Sequence, residues 1–261
     1  MAYWSVNLLI IFSLCVLLAG VLIPQILLIA YRKNLFDEVD ERKIHKGSIP
    51  RLGGLAFEPV IMLSLALVLG ANMMMGYSDF GTALTHDCLL LIATFCSMMM
   101  LYLIGIADDL IGIKYRAKFV VQIACAVLLI CGGAWFDSLG GIFGIWGLHP
   151  AIGYPFTAIV IVFLINAINL IDGIDGLASG LSSIAVIIFG ISFFILGEYA
   201  LSAISFAALG VLCPFFYYNV FGNVQKHSKI FMGDTGSLTI GLILCILGIK
   251  LFTADPGELS F

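Results

Sequence analysis

Charged side chains are scarce in this sequence. Asp, Glu, Lys and Arg together make up 11% of its 261 residues, whereas a soluble globular domain carries about 25%. Apolar residues make up 62% of the chain, and the mean hydropathy is +1.14. This composition excludes an ordinary soluble domain and predicts an integral membrane protein.

Paired cysteine motifs are also missing. The seven cysteines lie in or beside apolar runs without C-x-x-C spacing, which is typical of small buried side chains. The N-terminal apolar run has no basic leader and is too long for a cleavable signal peptide. We therefore expect this run to be the first membrane span.

Eight segments are apolar and long enough to cross a bilayer, which takes about 20 residues as a helix. They cover residues 6–31, 53–75, 87–107, 118–134, 155–171, 178–197, 199–220 and 235–252. The predicted fold class is an all-α polytopic membrane protein with about eight transmembrane helices in one domain, 1–261. A small β-hairpin is expected on the outer face at 135–155, where aromatic and β-branched residues alternate with glycines.

Lysine and arginine are missing from the predicted outer loops 76–86 and 135–155. Eleven of the twelve basic residues follow the first, third or seventh span, and only Lys250 falls on the other side. Basic residues concentrate in cytoplasmic loops. The sequence therefore predicts an outside N-terminus and cytoplasmic loops after spans one, three, five and seven.

Acidic residues gather at the same cytoplasmic ends. Asp108 and Asp109 end the third span, and Asp172 and Asp175 follow the fifth. A helix C-terminus carries a charge of about −0.5, so carboxylates there are disfavoured, and adjacent ones repel each other. A bound cation would offset both costs, and sites rich in carboxylate oxygens suit Mg²⁺ or Mn²⁺. The alternative is that these aspartates are simply solvated at the interface.

A polar ridge descends the inner end of the fifth span. Asn166, Asn169 and Asp172 are three residues apart and therefore share one helix face. Polar residues within spans tend to face the protein interior or a cavity, although Asn166 also suits an interhelical hydrogen bond. Asp234 directly precedes the eighth span, where it is a candidate both for a metal ligand and for the helix N-cap.

The first cytoplasmic loop supplies the opposite charge. Its basic residues lie within ten positions and precede two glycines; they are Arg42, Lys43, His45, Lys46 and Arg51, followed by Gly53 and Gly54. This pattern suits a phosphate-rich ligand, or it anchors the loop on the cytoplasmic side. Acidic metal sites beside a basic, glycine-flanked loop indicate nucleotide or phosphoryl chemistry.

Four motifs, in order across nearly the whole chain, resemble those of the polyprenyl-phosphate N-acetylhexosamine-1-phosphate transferases. This family is related to the phospho-MurNAc-pentapeptide translocases. The motifs are ERKIHKGSIPRLGG, the DD pair after the third span, NAINLIDGIDGLA and FMGDTGS. The PRLGG form of the first motif resembles the branch that acts on UDP-GlcNAc-type donors.

The resemblance implies a reaction that starts a cell-envelope glycan. A UDP-N-acetylhexosamine and undecaprenyl phosphate would give undecaprenyl-diphospho-HexNAc and UMP, with UDP-GlcNAc as the first candidate donor. Direct attack by the lipid phosphate is favoured over a covalent aspartyl intermediate. The implied cofactor is Mg²⁺, with Mn²⁺ as the alternative. The expected partners are both substrates, membrane lipid and a second copy in a homodimer, with no nucleic acid, in the bacterial plasma membrane with the active site on its cytoplasmic face.

The resemblance also implies roles for residues. Asp108 and Asp109 match an essential aspartate pair, in which Asp108 deprotonates or positions the lipid phosphate. Asp234 matches a Mg²⁺ ligand, with Asp172 beside it. The positions that match substrate-binding residues are Lys43, His45, Arg51, Asn169, Asp172, Asp175 and Asn219.

Two further expectations concern the limits of the match. The family continues with more spans and a histidine-rich cytoplasmic loop that helps to bind the donor, and we expect residues 1–261 to lack these parts. The competing hypothesis is a polytopic transporter of a phosphorylated or anionic solute. Transporters place ionisable groups near the bilayer midplane, whereas here even Glu58 lies within about two turns of the inner edge.

Overall fold

The computed structural model is a bundle of helices, and it describes residues 2–33, 35, 49–77 and 79–254. The helices are α1 Ala2–Lys33, α2 Phe57–Met74, α3 Asp79–His86, α4 Cys88–Ile111, α5 Tyr115–Cys131, α6 Pro150–Ile171, α7 Leu177–Leu196, α8 Tyr199–Val220 and α9 Gly233–Thr253. Short 3-10 helices lie at Gly53–Ala56 and Ile142–Gly144. No strand is assigned within the described ranges, so the predicted all-α class is confirmed.

In the described part of the chain, seven helices are long and apolar enough to cross a membrane. They are α1, α2 with its preceding 3-10 turn, α4, α6, α7, α8 and α9. The predicted span at 118–134 corresponds to α5, a helix of 17 residues and therefore about 26 Å long. It packs against α4 and α6, and its first turn carries Arg116 and Lys118. The chain is a multi-pass membrane protein.

The segments predicted to lie outside contain short helices and turns. Helix α3 occupies most of the segment 76–86. Where the sequence favoured a β-hairpin, residues 135–149 instead form turns and a 3-10 helix, and α6 already begins at Pro150. Gly140, Gly141 and Gly144 all have positive φ angles, and such residues interrupt the run of extended residues that a strand requires.

Helix α9 is the most deeply buried of the seven spanning helices. Within an apolar stretch of 18 residues, 72% of α9 is buried inside the protein, compared with 22% of α6 and 28% of α7. It packs against α4, α6, α7 and α8. Its sequence, GDTGSLTIG at the start, is rich in the small residues that allow helices in membranes to approach closely.

Glycines set how closely two other elements approach the start of α9. A Cβ atom on Gly54 would lie 2.1 Å from the backbone nitrogen of Gly236. A Cβ atom on Gly105, in α4, would lie 2.5 Å from the Cα atom of Thr235. These backbones can therefore meet only because neither position carries a side chain, and the meeting brings the ends of α4 and α9 together.

Replacing Gly105 with alanine should destabilise the protein. The new methyl group would force the α4 and α9 backbones apart, and overpacking of this kind costs about 1–3 kcal/mol. Gly20→Ala in α1 is the matched control, because a Cβ atom there meets nothing within 4 Å and alanine favours a helix. Thermal unfolding in detergent should show a lower midpoint for Gly105→Ala alone; an unchanged midpoint would contradict the packing described.

Candidate active site

The C-terminal ends of α4 and α6 and the N-terminus of α9 meet at one end of the bundle. They bring together four carboxylates, which we call the acidic cluster: Asp108, Asp109, Asp172 and Asp234. The cluster joins three of the four sequence motifs. Asp175 lies on the loop that follows Asp172 and bonds to Lys229. Lys43 and His45 lie outside the described residues.

Lys118 bridges two members of the acidic cluster. Its Nζ atom lies 2.9 Å from Asp108 Oδ2 and also bonds to Asp234 Oδ2. The other oxygen of Asp108 accepts a hydrogen bond from the backbone N–H of Ile113 at 2.7 Å. In the sequence, Lys118 indicates only the cytoplasmic side. Its position in the first turn of the next helix after the DD pair was the signal that could have found it.

Asp109 is bound on both carboxylate oxygens by the first turn of α9. Its Oδ1 accepts from the backbone N–H of Asp234 at 2.8 Å. Its Oδ2 accepts from the backbone N–H and the hydroxyl of Thr235, at 2.9 and 2.6 Å. A helix leaves these N–H groups without an internal partner, so Asp109 caps α9 from another helix.

One of the two sequence interpretations made Asp234 the N-cap of α9. Its side chain does not have this role. Asp234 is the second residue of α9, and its carboxylate turns toward the cluster. Its Oδ1 accepts a hydrogen bond from Asn169 Nδ2 at 3.1 Å, and its Oδ2 bonds to Lys118. Asn169 also donates to the hydroxyl of Ser237 at 2.7 Å, so α6 and α9 together fix this carboxylate.

Asp172 ends α6 as its C-cap residue. Burial raises the pKa of its carboxyl group to about 8, and the negative charges of Asp109 and Asp234 act in the same direction. The backbone N–H of Gly233 and the charge of Arg51 oppose this rise in pKa. A cation bound beside Asp172 would lower this pKa.

Arg51 reaches the cluster on a segment that pairs with the FMGDTGS motif. Phe231 N donates to Pro50 O at 2.9 Å, Gly53 N to Phe231 O at 2.9 Å, and Gly54 N to Met232 O at 2.8 Å. Because these glycine N–H groups bond to the protein backbone, they do not bind phosphate in this arrangement. The glycines thus serve packing, and within the described part of the first motif it is Arg51 whose charge acts on the site.

The loop after α6 is held by α8. Asn219 accepts a hydrogen bond on its Oδ1 from the backbone N–H of Gly176 at 2.7 Å, and its Nδ2 donates to Ile230 O at 2.9 Å. Lys229 bonds through Nζ to Asp175 Oδ2. Asn219 is buried, and the oxygen and the nitrogen of its side chain both form hydrogen bonds within the protein. This asparagine therefore positions the loop, while its match to a substrate-binding residue stays a prediction.

Asn166 does not join the acidic cluster. Its Nδ2 donates to Gln122 Oε1 at 2.7 Å, and Gln122 donates back at 3.3 Å. Of the two sequence interpretations of this residue, the interhelical hydrogen bond is the one that the structure confirms. Asn169, one turn further along α6, is the asparagine that reaches the cluster.

The comparison with known families identifies the arrangement. The model for glycosyl transferase family 4 matches residues 91–252, which is more than half of the chain. The chain belongs to glycosyl transferase family 4. The matched range contains the whole acidic cluster, Lys118 and Lys229, and it leaves out the segment 50–54 that carries Arg51.

Individual relatives within the family are similar over most of the chain. An undecaprenyl-phosphate alpha-N-acetylglucosaminyl 1-phosphate transferase of Salmonella typhi is 32% identical over 89% of this chain and 59% of its own length. A probable undecaprenyl-phosphate N-acetylglucosaminyl 1-phosphate transferase of Bacillus subtilis is 30% identical, over 91% and 61%. A phospho-N-acetylmuramoyl-pentapeptide-transferase of Staphylococcus carnosus is 30% identical, over 92% and 74%. The chain thus spans about three fifths of the first two relatives.

The two adjacent aspartates should differ in their effect on stability. Asp109→Asn replaces one acceptor of the α9 cap with a donor, and loss of such a cap costs about 1–2 kcal/mol. Asp108→Asn is the matched control, since Asp108 bonds to only one backbone N–H and to Lys118. We expect thermal unfolding in detergent to show the larger decrease for Asp109→Asn. Equal decreases would refute the capping role.

Proposed function

We propose that this protein transfers HexNAc-1-phosphate, with GlcNAc-1-phosphate as the first candidate, from a UDP-sugar to undecaprenyl phosphate and releases UMP. The observation that carries the proposal is the acidic cluster, with Lys118 between Asp108 and Asp234, at the end of a bundle of apolar helices. Membership of glycosyl transferase family 4 and the names of the similar proteins support it. The product would begin a cell-envelope glycan.

The position of the cluster suits a reaction between a lipid and a soluble nucleotide. The phosphate of a membrane lipid lies at the bilayer surface, and the cluster lies where α4 and α6 end and α9 begins. Eleven of the twelve basic residues fall on the predicted side of this end, which by the positive-inside rule is the cytoplasm. We therefore place the site on the cytoplasmic face of the bacterial plasma membrane.

The chemical step joins two anions. A phosphate oxygen of the lipid would attack the sugar-linked phosphorus of the donor, and the bond from that phosphorus to the bridging oxygen would break, so that UMP leaves with the electron pair. Asp108 would position the lipid phosphate or accept its proton. Lys118 would offset the negative charge between the two reactants, since fixed charges aimed at the reacting groups lower such a barrier.

A magnesium ion fits the donor atoms of this site, and Mn²⁺ is the alternative. Within the described ranges, no three His, Cys, Asp or Glu side chains already have a metal-binding arrangement, and Lys118 is bonded to Asp234. With all four carboxylates ionised, however, the cluster exceeds the charges of Lys118 and Arg51 by two, which one divalent cation would balance. Asp234 and Asp172 would hold the ion, which would stabilise the leaving UMP.

Release of UMP tests the reaction directly. The purified chain in detergent should release UMP from UDP-GlcNAc only when undecaprenyl phosphate and Mg²⁺ are present, and EDTA should stop the release. UDP-GalNAc tests the breadth of donor use. Solute uptake into proteoliposomes without UMP release would instead favour the transporter. The position of Glu58, the second residue of α2, speaks against a transporter because this acidic group also lies at a helix end.

Asp234→Asn should abolish UMP release and its dependence on Mg²⁺. The substitution keeps the size of the side chain but removes the charge that faces Lys118 and the proposed cation. The variant should retain its thermal unfolding midpoint to within a small shift, because the backbone N–H of residue 234 still bonds to Asp109. Magnesium-dependent turnover by a folded Asp234→Asn protein would overturn the assignment.

Two asparagines on α6 provide a matched pair. Asn169→Ala removes the donor that fixes Asp234, so we expect kcat to fall by tenfold or more, on the order of one lost charge-assisted hydrogen bond. Asn166→Ala removes the two hydrogen bonds to Gln122, each worth about 0.6 kcal/mol in membranes, and no contact with the cluster, so kcat should stay close to wild type. Equal kcat values for the two variants would show that Asn169 has no special role.

A further inference from the structure

We propose that Lys229 is a positioning residue for the nucleotide side of the site. Asp175 matches a residue on the nucleotide side of the resembling family, and on that match we assign the loop 172–176 to the donor. Lys229 would hold this loop in place, and its charge would offset a carboxylate that otherwise repels the donor's diphosphate. This inference rests on the proposed function, because it assigns a donor-binding role to one side of the same site.

The burial of Lys229 is the first observation. Its relative exposure is 8%, and lysine is almost never buried unless it is paired. The partner is the carboxylate of Asp175, whose side chain is the more exposed of the two, at 28% against 10%. The pair thus presents its acidic member toward the open side, while the lysine supports that carboxylate from within.

The second observation is that two tethers converge on one loop. Asn219 bonds both to Gly176 N and to Ile230 O, and Lys229, the neighbour of Ile230, bonds to Asp175. The loop after α6 is therefore fixed to the segment 229–230 at two adjacent points. Gly176 has a φ of +74°, a conformation that few other residues adopt, so the loop is shaped for this attachment.

The third observation is the path of the chain beyond Ile230. Phe231 and Met232 pair with the segment 50–54, and Asp234 follows two residues later in the cluster. Lys229 thus joins the loop of Asp175 to a rigid backbone that leads to Asp234. A change at Lys229 should therefore alter how the loop after α6 presents itself to the donor, while the contact between Lys118 and Asp108 remains.

Electrostatics gives the direction of the effect. The diphosphate of a UDP-sugar is an anion, and removing the Lys229 charge would make the surroundings of Asp175 more negative by one. Opposite charges steer and hold ligands, whereas like charges brought together oppose binding. Loss of the Lys229 charge should therefore weaken donor binding, and it should leave the binding of the lipid phosphate near Lys118 unchanged.

The test compares four variants with wild type: Lys229→Met, Lys229→Arg, Asp175→Asn and the double variant Lys229→Met with Asp175→Asn. Lys229→Met should raise KM for UDP-GlcNAc by about tenfold, with KM for undecaprenyl phosphate unchanged. Lys229→Arg should recover most of the donor affinity, because it keeps the charge. The double variant should be no worse than Asp175→Asn alone, since Lys229 acts through that carboxylate.

Lys226→Met is the matched control for a general loss of positive charge. Lys226 lies three residues earlier on the same segment and is exposed, so its replacement should leave both KM values near wild type. An additive loss in the double variant, or an equal rise in both KM values for Lys229→Met, would overturn the proposal. So would a donor KM that Lys229→Met leaves unchanged.

Titration with UMP separates this proposal from the proposed reaction. Lys229→Met should bind UMP about tenfold more weakly than wild type, and this binding requires no turnover. Wild-type turnover together with equal UMP affinity in the two proteins would reject the role of Lys229 and keep the transferase. A wild type that binds UMP but turns over no UDP-HexNAc would reject the reaction, and a weaker Lys229→Met would still support the role of Lys229.

Discussion

The site depends on the capped start of α9. Asp109 binds the free N–H groups of its first turn, and Gly54 and Gly105 let two other backbones approach within contact of the same turn. The cap depends on the close approach, because Asp109 on α4 can reach the first turn of α9 only if the two helices lie close together. This junction brings Asp108 and Asp234 close enough for Lys118 to bond to both.

The same junction explains how carboxylates are tolerated at two helix C-termini. The ends of α4 and α6 carry negative partial charge, which disfavours Asp108, Asp109 and Asp172 there. The N-terminus of α9 carries positive partial charge and is inserted between them, and Lys118 adds a full charge. The N-terminus of α9 and Lys118 thus supply part of the positive charge that the aspartates need. A smaller excess of negative charge is left for a metal ion to balance.

Hydropathy predicted the spans because a bilayer imposes one length and one polarity on every helix that crosses it. The four motifs predicted which loops would meet. The sequence could not predict that Asp109 caps α9 while Asp108 bonds to Lys118. Neighbouring residues on a helix point about 100° apart, and which of the two faces α9 depends on how α4 is rotated. The role of Lys118 could not be predicted either, because its contact with Asp234 spans 116 positions and depends on how α5 packs.

Two lysines serve different parts of the site. Lys118 comes from α5 and bonds to Asp108 and Asp234, between the two proposed reactants, whereas Lys229 comes from the segment before α9 and bonds to Asp175, on the side proposed for the nucleotide. Residues 229–234 connect the two sides by a short stretch of chain that is itself paired to the segment 50–54. A transfer between two anions needs both held at a fixed separation, and with the substrates placed as proposed, this short paired stretch would set that separation.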